Sequence, residues 1–327
     1  MRVVVTGGAG FIGRAIVARL ATGGVDVIAL VRDPVTASHL QAPHVTLVGS
    51  DLKDTAAMAA TMAAADGVIH AAGEYRVGIA QDERPGMLDA NLGTTERVLD
   101  AAINAKVRRI VYVSTMNVFG DTHGQTVDET YQRDPTTKNG RFLSFYDESK
   151  YRAHVAAQER IAQGAPIVIV MPSQVYGPHD RSSLGQQLAG AYAGRLPYLA
   201  LTNLGIGFVH VDDLAAGIVA ALIRGRIGES YVLSGPSVRT REALATAARA
   251  GNHRLPRLAL PTSLLRLLAF LQRRGINLAG APPGMTEVIG ASDNVTYWAS
   301  SAKATRELGF SPRPLVKGLA DTYASAK

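Results

Sequence analysis

The sequence contains no cysteine among its 327 residues. This absence excludes disulfide bonds, thiolate metal ligands and a cysteine nucleophile, and it suits a reducing compartment. An export signal is also absent, because "MRVVVTGG" predicts a strand at the start of the chain rather than a charged segment followed by an apolar core. We therefore expect a cytoplasmic protein.

Long hydrophobic runs are missing as well. The most apolar late segment, "LPTSLLRLLAFLQRRG", is interrupted by Arg266 and is too short to span a bilayer, so it predicts a packing helix and no membrane partner. The formal net charge is +7, but the basic residues are scattered and are not interleaved with aromatic residues. We therefore expect no nucleic-acid partner, and a basic surface also suits an anionic dinucleotide.

Metal-ligand spacing is not found among the eight histidines. The segment "HVDD", His210 to Asp213, has the composition of a metal cluster, but it stands where a strand should pass into a helix. Asp212 or Asp213 is expected to cap that helix, since aspartate is a preferred N-cap residue. The sequence thus predicts no metal.

Apolar runs and helical segments alternate through the first half of the chain. The runs are "RVVVTG", "VDVIALV", "VTLVG", "GVIHAAG", "RIVYVST" and "PIVIVMP", and the helical segments are 11–22, 54–64, 87–105 and 146–163. Such β-branched runs separated by helices are typical of a parallel sheet covered on both faces. The prediction is an α/β protein with a Rossmann-type doubly wound sheet in residues 1–170 and a smaller, mainly substrate-binding lobe in 171–327. Segments near 206–235 are expected to return to the sheet.

A glycine-rich stretch, "VTGGAGFIG", follows the first strand and opens the first helix. Its spacing fits G-x-G-x-x-G from Gly8 and also G-x-x-G-x-x-G from Gly7. Glycines allow a tight turn and let backbone N–H groups approach a pyrophosphate at the positive end of the helix. The predicted phosphate contacts are Gly7, Gly10, Phe11, Ile12 and Gly13.

The end of the second strand, "DVIALVRDP", bears on the choice of dinucleotide. An acidic residue there favours NAD, whereas an arginine accommodates the 2′-phosphate of NADP. Val31 occupies the acidic position and Arg32 follows, which favours NADP over NAD; the alternative is that Asp33 supplies the acid and Arg32 is merely exposed. After the third strand, Asp51 and Leu52 are expected at the adenine, although Asp51 could instead cap the next helix.

The stretch "FYDESKY" places Tyr146 and Lys150 four residues apart, on the same face of a helix. A nearby ammonium stabilises phenolate, as does the oxidised nicotinamide ring, so Lys150 and the cofactor are together expected to lower the pKa of Tyr146 and make the phenol a usable acid–base. The fifth strand ends in "VYVSTMNVFG", which offers the hydroxyls of Ser114 and Thr115 at the sheet edge where ligands bind in this fold.

With these segments, the sequence resembles the extended short-chain dehydrogenase/reductases, the NAD-dependent epimerase/dehydratase family, over nearly its whole length. "TGGAGFIG", "DLKD", "VIHAAG", "ANLGTTERVLDAA", "VYVSTMNVFG", "YDESK", "PSQVYGP" and "FVHVDDLAAG" occur in the family's order. The resemblance implies that Tyr146 is the acid–base, that Lys150 orients the nicotinamide ribose and that Thr115 binds the reacting oxygen. It also implies a fold-stabilising role for Asn91. The further cofactor contacts that it implies are Ala71, Ala72, Gly73, Ser114, Pro172 and Ser173.

Within this family, "VRDP" is similar to the dihydroflavonol-reductase-like branch, and "EYRVG" and "SSAKATRELGFSPRP" are similar to hopanoid-associated epimerase-like members. The family's dehydratases carry Asp-Glu after the catalytic Thr, whereas Met116 and Asn117 stand there in this chain, which disfavours elimination chemistry. Met171 and Gln174 replace the Arg and Asn that are common in nucleotide-sugar enzymes. These departures disfavour a diphosphate-sugar substrate.

The sequence therefore predicts an NADP-dependent oxidoreductase that acts on a carbonyl or secondary alcohol of a largely hydrophobic small molecule. A sugar or nucleotide-sugar epimerase and a non-catalytic dinucleotide sensor are the alternatives. A homodimer is expected, since helices at the middle of such sheets often pair two protomers. The predicted substrate contacts are Met116, Val118 and Tyr176 along its body, Gln174 as a polar contact, and Glu74 and Tyr75 at the rim.

Overall fold

The computed structural model describes residues 1–276 and 281–324. Its strands are β1 Arg2–Thr6, β2 Asp26–Val31, β3 Val45–Gly49, β4 Gly67–His70, β5 Ile110–Val113, β6 Ile167–Pro172, β7 Gln174–Tyr176, β8 Gly205–His210, β9 Ser230–Leu233, β10 Ser237–Arg239 and β11 Thr296–Tyr297. Seven of them form one sheet in the order β3-β2-β1-β4-β5-β6-β9. Every neighbouring pair is parallel, as the β-branched runs of the sequence predict.

The α-helices are α1 Phe11–Thr22, α2 Thr55–Met62, α3 Arg84–Leu88, α4 Thr94–Asn104, α5 Phe145–Ala162, α6 Ser183–Tyr192, α7 Val211–Arg224, α8 Thr240–Ala250, α9 Thr262–Arg273, α10 Met285–Gly290, α11 Ala302–Leu308 and α12 Leu315–Ala324. The helix predicted over 87–105 is interrupted, because Asp89–Gly93 form a π-helical stretch between α3 and α4. Short π-helical segments often occur at functional sites.

Both faces of the large sheet are covered by helices. On one face, Ile16 of α1 and Leu214 of α7 belong to the same buried cluster as the inward side chains of the strands. On the other face, Met58 of α2, Leu99 of α4 and Ala153 of α5 form the second cluster. The predicted Rossmann-type doubly wound α/β fold is therefore confirmed.

A smaller sheet and helices α6, α8 and α12 form the second lobe. Strand β8 is its centre: β10 pairs antiparallel on one side, and β11 and β7 pair parallel with β8. The sequence predicted that segments near 206–235 return to the main sheet. Strand β9 does so as the seventh strand of that sheet, and α7 packs against α1, whereas β8 lies in the small sheet.

The start of α7 differs from the prediction. The helix begins at Val211, so the N-cap is His210, whose Nδ1 accepts the N–H of Asp212 at 3.3 Å. Asp213 lies inside the first turn and forms a bidentate ion pair with Arg313, with Oδ1 at 2.8 Å from Nη2. The expectation of an aspartate cap was wrong because strand β8 runs directly into the helix, so that the N-cap lies two residues before Asp212.

Within the described residues, no helix is both long and apolar enough to cross a membrane.

Candidate active site

The glycine loop between β1 and α1 is shaped by close backbone packing. Gly7 has φ of 71°, and a Cβ built on it would lie 2.7 Å from the backbone of Ala72. A Cβ on Gly13 would lie 2.0 Å from the carbonyl oxygen of Gly7, so α1 can approach β1 only if this residue is glycine. The Gly7, Gly10 and Gly13 spacing therefore has a direct steric reason, and Gly10 closes the turn with its N–H 2.9 Å from the carbonyl of Gly7.

The amino terminus of α1 is open to an anion. Its N-cap, Gly10, offers no capping side chain, and no acidic residue lies in the first turn, so the N–H groups at Phe11 and Ile12 lack an intrahelical acceptor. Arg14 follows in the same turn, and its Nε is buried without a hydrogen-bond partner. These groups suit a pyrophosphate; Arg14 was missed from the sequence, although its place directly after Gly13 was a usable signal.

Arg32 and Asp33 follow β2 at the adenosine end of the predicted site, and they differ in their hydrogen bonds. Arg32 follows the last residue of β2 and is exposed. Asp33 accepts the N–H of Val35 at 2.9 Å and so stabilises the following turn. Both Arg32 and Asp33 are exposed at this strand end.

Asp51 and Leu52 follow β3. Asp51 is exposed and accepts the N–H of Lys53 at 2.9 Å, while Leu52 is half-buried. The helix cap considered for Asp51 belongs instead to Asp54, whose Oδ1 accepts the N–H of Ala57 at 2.9 Å. That alternative was wrong, because α2 starts at Thr55, one residue after Asp54.

The carboxyl ends of β4, β5 and β6 bring the remaining predicted residues to one edge of the sheet. These are Ala71, Ala72 and Gly73 after β4, Ser114 and Thr115 after β5, and Pro172 and Ser173 at the end of β6. The Ser173 hydroxyl is buried and has no hydrogen-bond partner, which leaves it available to a ligand. The Ser114 hydroxyl lies 3.0 Å from Nδ1 of the buried His154.

Helix α5 carries Tyr146 and Lys150 into this edge. Ser144 caps the helix by accepting the N–H of Asp147 at 3.0 Å. Lys150 is 6% exposed, and its Nζ donates to the Tyr112 hydroxyl and to the Val113 carbonyl, both at 3.3 Å. A Cβ on Gly73 would lie 3.8 Å from this Nζ, so the ammonium lies beside the open backbone after β4.

The protein groups around Tyr146 hold its pKa above the ordinary value, whereas the predicted lowering was for Lys150 and an oxidised nicotinamide ring together. Burial raises it, the neighbouring Tyr75 raises it further, and the hydrogen bond with Thr115 lowers it by less. The Lys150 ammonium donates its hydrogen bonds to Tyr112 and Val113. Tyr146 is therefore a protonated phenol at neutral pH in this structure.

Tyr75 forms the exposed rim beside Tyr146. Its ring is 4.8 Å from the ring of Tyr146 at an interplanar angle of 88°, and the residue is 55% exposed. Asn91 holds the start of this loop, since its Oδ1 accepts the N–H of Glu74 at 2.8 Å and its Nδ2 donates to the Ser149 hydroxyl at 2.9 Å. These bonds agree with a fold-stabilising role for Asn91, because they fix the rim to α5.

Three of the predicted substrate contacts lie inside packed cores. Met116 is fully buried and Val118 is 4% exposed, both in the cluster that also contains Leu99 and Ala153. Tyr176 is fully buried in the core of the second lobe. The sequence predicted that these three side chains lie along the body of the substrate. In the structure they pack into the cores, because the hydrophobic side chains after β5 and β6 turn toward the interior. Gln174 is half-buried and donates to the Val175 carbonyl at 3.2 Å.

Glu287 of α10 links the second lobe to the site, and sequence reasoning missed it. Its Oε2 accepts the N–H of Gly78 at 3.1 Å, and its Oε1 accepts the N–H of Phe145, the residue before Tyr146. Gly284 adds a backbone bond to Gly78 at 2.8 Å. The Glu287 carboxylate thus joins the loop that carries Tyr75 and Gly78, the rim loop, to the start of α5. No local sequence signal indicates a contact across such a distance.

A buried ion pair stands beneath Tyr146 and was also missed. Arg133 and Asp147 are 1% and 0% exposed and form two bonds of 2.6 and 2.8 Å. Arg133 further donates to the carbonyls of Gly140 and Arg141, both at 2.7 Å, and Asp147 accepts the N–H of Leu143 at 2.9 Å. The pair therefore ties the loop before α5 to the first turn of that helix.

Comparison with known proteins identifies the same family as the site residues do. The family model described as the NAD dependent epimerase/dehydratase family matches residues 3–234. A provisionally named dihydroflavonol 4-reductase of Synechocystis sp. is 30% identical over 97% of this chain and 92% of its own length. A 4-hydroxy-2-methyl-3-oxo-4-farnesyl-3,4-dihydroquinoline-1-oxide ketoreductase of Stigmatella aurantiaca is 29% identical over 96% of this chain and 92% of its own length.

Among solved structures, the crystal structure of gox2253 superposes with a TM-score of 0.83 at 29% identity, covering 98% of this chain and 96% of that one. The family match spans more than half of the chain, and the fold agrees over nearly all of it. The chain therefore belongs to the NAD-dependent epimerase/dehydratase family of extended short-chain dehydrogenase/reductases, and it is an oxidoreductase that works with a nicotinamide dinucleotide.

Proposed function

We propose that this protein is an NADP(H)-dependent reductase of a largely hydrophobic ketone or aldehyde, or the dehydrogenase of the corresponding secondary alcohol. The observation that carries the proposal is the position of the Thr115 hydroxyl, which is near enough to the Tyr146 phenol to lower its pKa, at the carboxyl edge of the sheet to which α5 also brings the buried Lys150. Two hydroxyls that converge on one point can hold a single carbonyl oxygen.

The proton chemistry follows from the state of Tyr146. A phenol with the ordinary tyrosine pKa of about 10 is already protonated at neutral pH, so Tyr146 can act as the acid in reduction. The Thr115 hydroxyl donates to Asn117 Oδ1 at 3.1 Å in this structure, and with substrate bound it would donate to the substrate oxygen instead. NADPH, when bound, would supply the hydride, and Tyr146 would give its proton to the carbonyl oxygen, so that the product would be a neutral alcohol.

The remaining polar groups of the edge would hold the cofactor. The open N–H groups of α1 and the unpartnered Arg14 Nε suit the pyrophosphate, and the Ser173 hydroxyl is free for a further bond. Lys150 would donate to the nicotinamide ribose hydroxyls beside Gly73, which itself carries no side chain. The phosphate-loop residues therefore orient the molecule, and α5 supplies the reacting group.

NADP is preferred over NAD in this proposal because of the charge at the end of β2. Arg32 is exposed there, and the neighbouring Asp33 carboxylate accepts the Val35 N–H in its own turn. A 2′-phosphate would meet a guanidinium, whereas the ribose hydroxyls of NAD would lack the acidic partner that they usually bind.

A hydrophobic substrate is supported by the surroundings of the phenol. Tyr146 belongs to a small apolar cluster with Ile79 and Met87, which Val77 and Phe145 extend. The exposed Tyr75 ring lies across its edge. Such walls suit an alkyl or aromatic carbonyl, and the similar ketoreductase named above acts on a farnesyl-bearing compound according to its name.

The test is a substrate screen in which NADPH consumption is followed optically. We expect turnover with hydrophobic ketones or aldehydes, faster with NADPH than with NADH, and none with nucleotide-sugars. Tyr146→Phe serves as the matched control for background oxidation of NADPH. Interconversion of nucleotide-sugars without net NADPH consumption, together with no turnover of hydrophobic carbonyls, would instead establish the epimerase alternative.

A further inference from the structure

Helix α9 turns apolar side chains toward solvent. Leu264, Leu267 and Phe270 are 39%, 53% and 43% exposed, and their i, i+3, i+6 spacing puts them on one face. That face lies opposite the buried Ala269, which is 3% exposed. Surface helices of soluble domains usually present charged residues there, so the exposed face of α9 lacks the partner that its composition suits.

The same region carries almost all of the protein's net charge. Residues 243–286 contain six arginines and no lysine, aspartate or glutamate, against a formal net charge of +7 for the whole chain. Arg273 and Arg274 end α9, and the Arg274 guanidinium lies 4.9 Å from the Phe270 ring centroid. Of the arginines on α9, Arg266 is paired, with its Nη2 2.9 Å from Asp293.

We propose that α9 is a docking helix for the surface of a bilayer that contains anionic phospholipids. Its apolar face would enter the headgroup boundary with the helix lying in the plane of the membrane, and Arg273 and Arg274 would bind lipid phosphates. Long arginine side chains can lie along an apolar surface while their guanidinium groups reach the headgroups. This mode of binding requires no membrane-crossing helix.

Charge complementarity favours lipid over the other occupants of such a face. A two-fold pairing of α9 with a second copy would bring two sets of arginines together, and the segment supplies no carboxylate to compensate them. Nucleic acid would need basic groups at the centre of the face, where Leu267 and Phe270 stand. An anionic bilayer can accept the apolar residues of α9 at its headgroup boundary and can also bind Arg273 and Arg274 through its lipid phosphates.

Helix α9 also lies next to α10, which contacts the rim loop of the candidate active site. α9 packs on α10, and α10 holds the rim loop through Gly284 and Glu287. Binding at α9 would therefore bring the rim beside Tyr75 close to the bilayer. Delivery of a hydrophobic substrate from the lipid rests on the proposed function, whereas docking itself does not.

The experiment is vesicle flotation of the whole protein with no substrate or cofactor added. Neutral phosphatidylcholine vesicles are compared with vesicles in which about a third of the lipid is phosphatidylglycerol. We expect binding to the anionic vesicles and weaker binding to the neutral ones. Leu267→Ser/Phe270→Ser should lower the partition coefficient roughly tenfold or more, since the apolar contribution is lost.

Two further variants complete the test. Arg273→Gln/Arg274→Gln should reduce binding to the anionic vesicles to the level of the neutral ones. Ile223→Ser/Val316→Ser removes apolar residues that are 57% and 56% exposed elsewhere, and it should bind as the wild type does. Thermal unfolding checks that each variant is folded.

The proposal is overturned if the wild type does not float with anionic vesicles, or if the α9 and control variants bind equally. It is also overturned if light scattering shows a dimer that dissociates in Leu267→Ser/Phe270→Ser while vesicle binding is unchanged, because a second copy then covers the face. None of these readouts depends on turnover, so a failure of the proposed function would be seen separately in the substrate screen.

Discussion

Helices α5 and α9 both depart from the usual pattern of a surface helix, and they do so in opposite directions. α5 buries polar and ionisable side chains, whereas α9 exposes large apolar ones. The buried polar residues of α5 are Tyr146, Asp147, Ser149, Lys150 and His154. Either departure costs stability unless another group compensates it.

The two helices differ in where that compensation comes from. For α5 it lies within the chain, since Asp147 is paired with Arg133, Lys150 with Tyr112 and Val113, and Ser149 with Asn91. For α9 the described residues leave Leu267 53% and Phe270 43% exposed, with the Arg274 guanidinium over the Phe270 ring. Departures from the usual burial pattern are expected at functional sites. For α5 the compensating groups belong to the protein itself, whereas for α9 the proposed partner lies outside the chain.

The largest expected effect concerns the buried phenol of α5. Tyr146→Phe should fold and bind cofactor but lose roughly 10²–10⁴ in kcat, the usual contribution of a positioned general acid. Tyr151→Phe is the matched control, because Tyr151 lies on the same helix but packs against Phe142. Steady-state kinetics with a carbonyl substrate measures both, and near-normal turnover of Tyr146→Phe would remove this residue from the mechanism.

The second prediction concerns the buried ion pair of α5. Asp147→Asn should lower the free energy of unfolding by about 3–5 kcal/mol, because it leaves the Arg133 guanidinium buried and uncompensated. Glu148→Gln breaks the exposed pair with Arg152 on the same helix and should cost only about 0.3–0.5 kcal/mol. Urea unfolding compares the two, and equal losses would show that α5 does not depend on internal compensation.

The third prediction concerns Arg32, which is exposed like the apolar residues of α9 and whose proposed partner, the 2′-phosphate of NADP, also lies outside the chain. We expect NADPH to bind more tightly than NADH, and Arg32→Ala to lose about 1.5–3 kcal/mol of NADPH affinity with little effect on NADH. Isothermal titration calorimetry with both cofactors measures this difference. Equal binding of NADH and NADPH by the wild type would show that Arg32 does not read the 2′-phosphate.

The smallest effect is the pH dependence that the buried histidines add. Burial and then the Lys150 charge lower the pKa of His70 to about 3 and that of His154 to about 4, from the ordinary value of 6.5. Each is neutral when folded but takes up a proton when unfolded, so stability is complete above pH 6.5 and is lost as the pH falls toward the folded pKa.

Each site should therefore contribute about 1.4 kcal/mol per pH unit to the slope of unfolding free energy below the ordinary pKa. His154→Gln should remove one such contribution from a series of urea melts at decreasing pH. His39→Gln is the control, since His39 lies on the surface. An unchanged slope in His154→Gln would show that His154 is not held neutral in the folded protein.

The sequence by itself determined the parts of this protein that depend on short-range patterns. The β-branched runs gave the parallel sheet, and the α1 helix has the predicted bounds, Phe11–Thr22. The Gly7, Gly10 and Gly13 spacing and the Tyr146 and Lys150 pair could be read in the same way, because each set lies within a turn or two of backbone.

Only the tertiary structure decided what joins distant parts of the chain. Glu287 bonds to Gly78, 209 residues away, and no periodicity reports such a contact. The burial of Tyr176, the rise in the pKa of Tyr146 and the exposure of Phe270 likewise depend on which elements pack against them. Composition and spacing fix a residue's chemistry, but its solvation and partners are set by neighbours that the chain brings together only on folding.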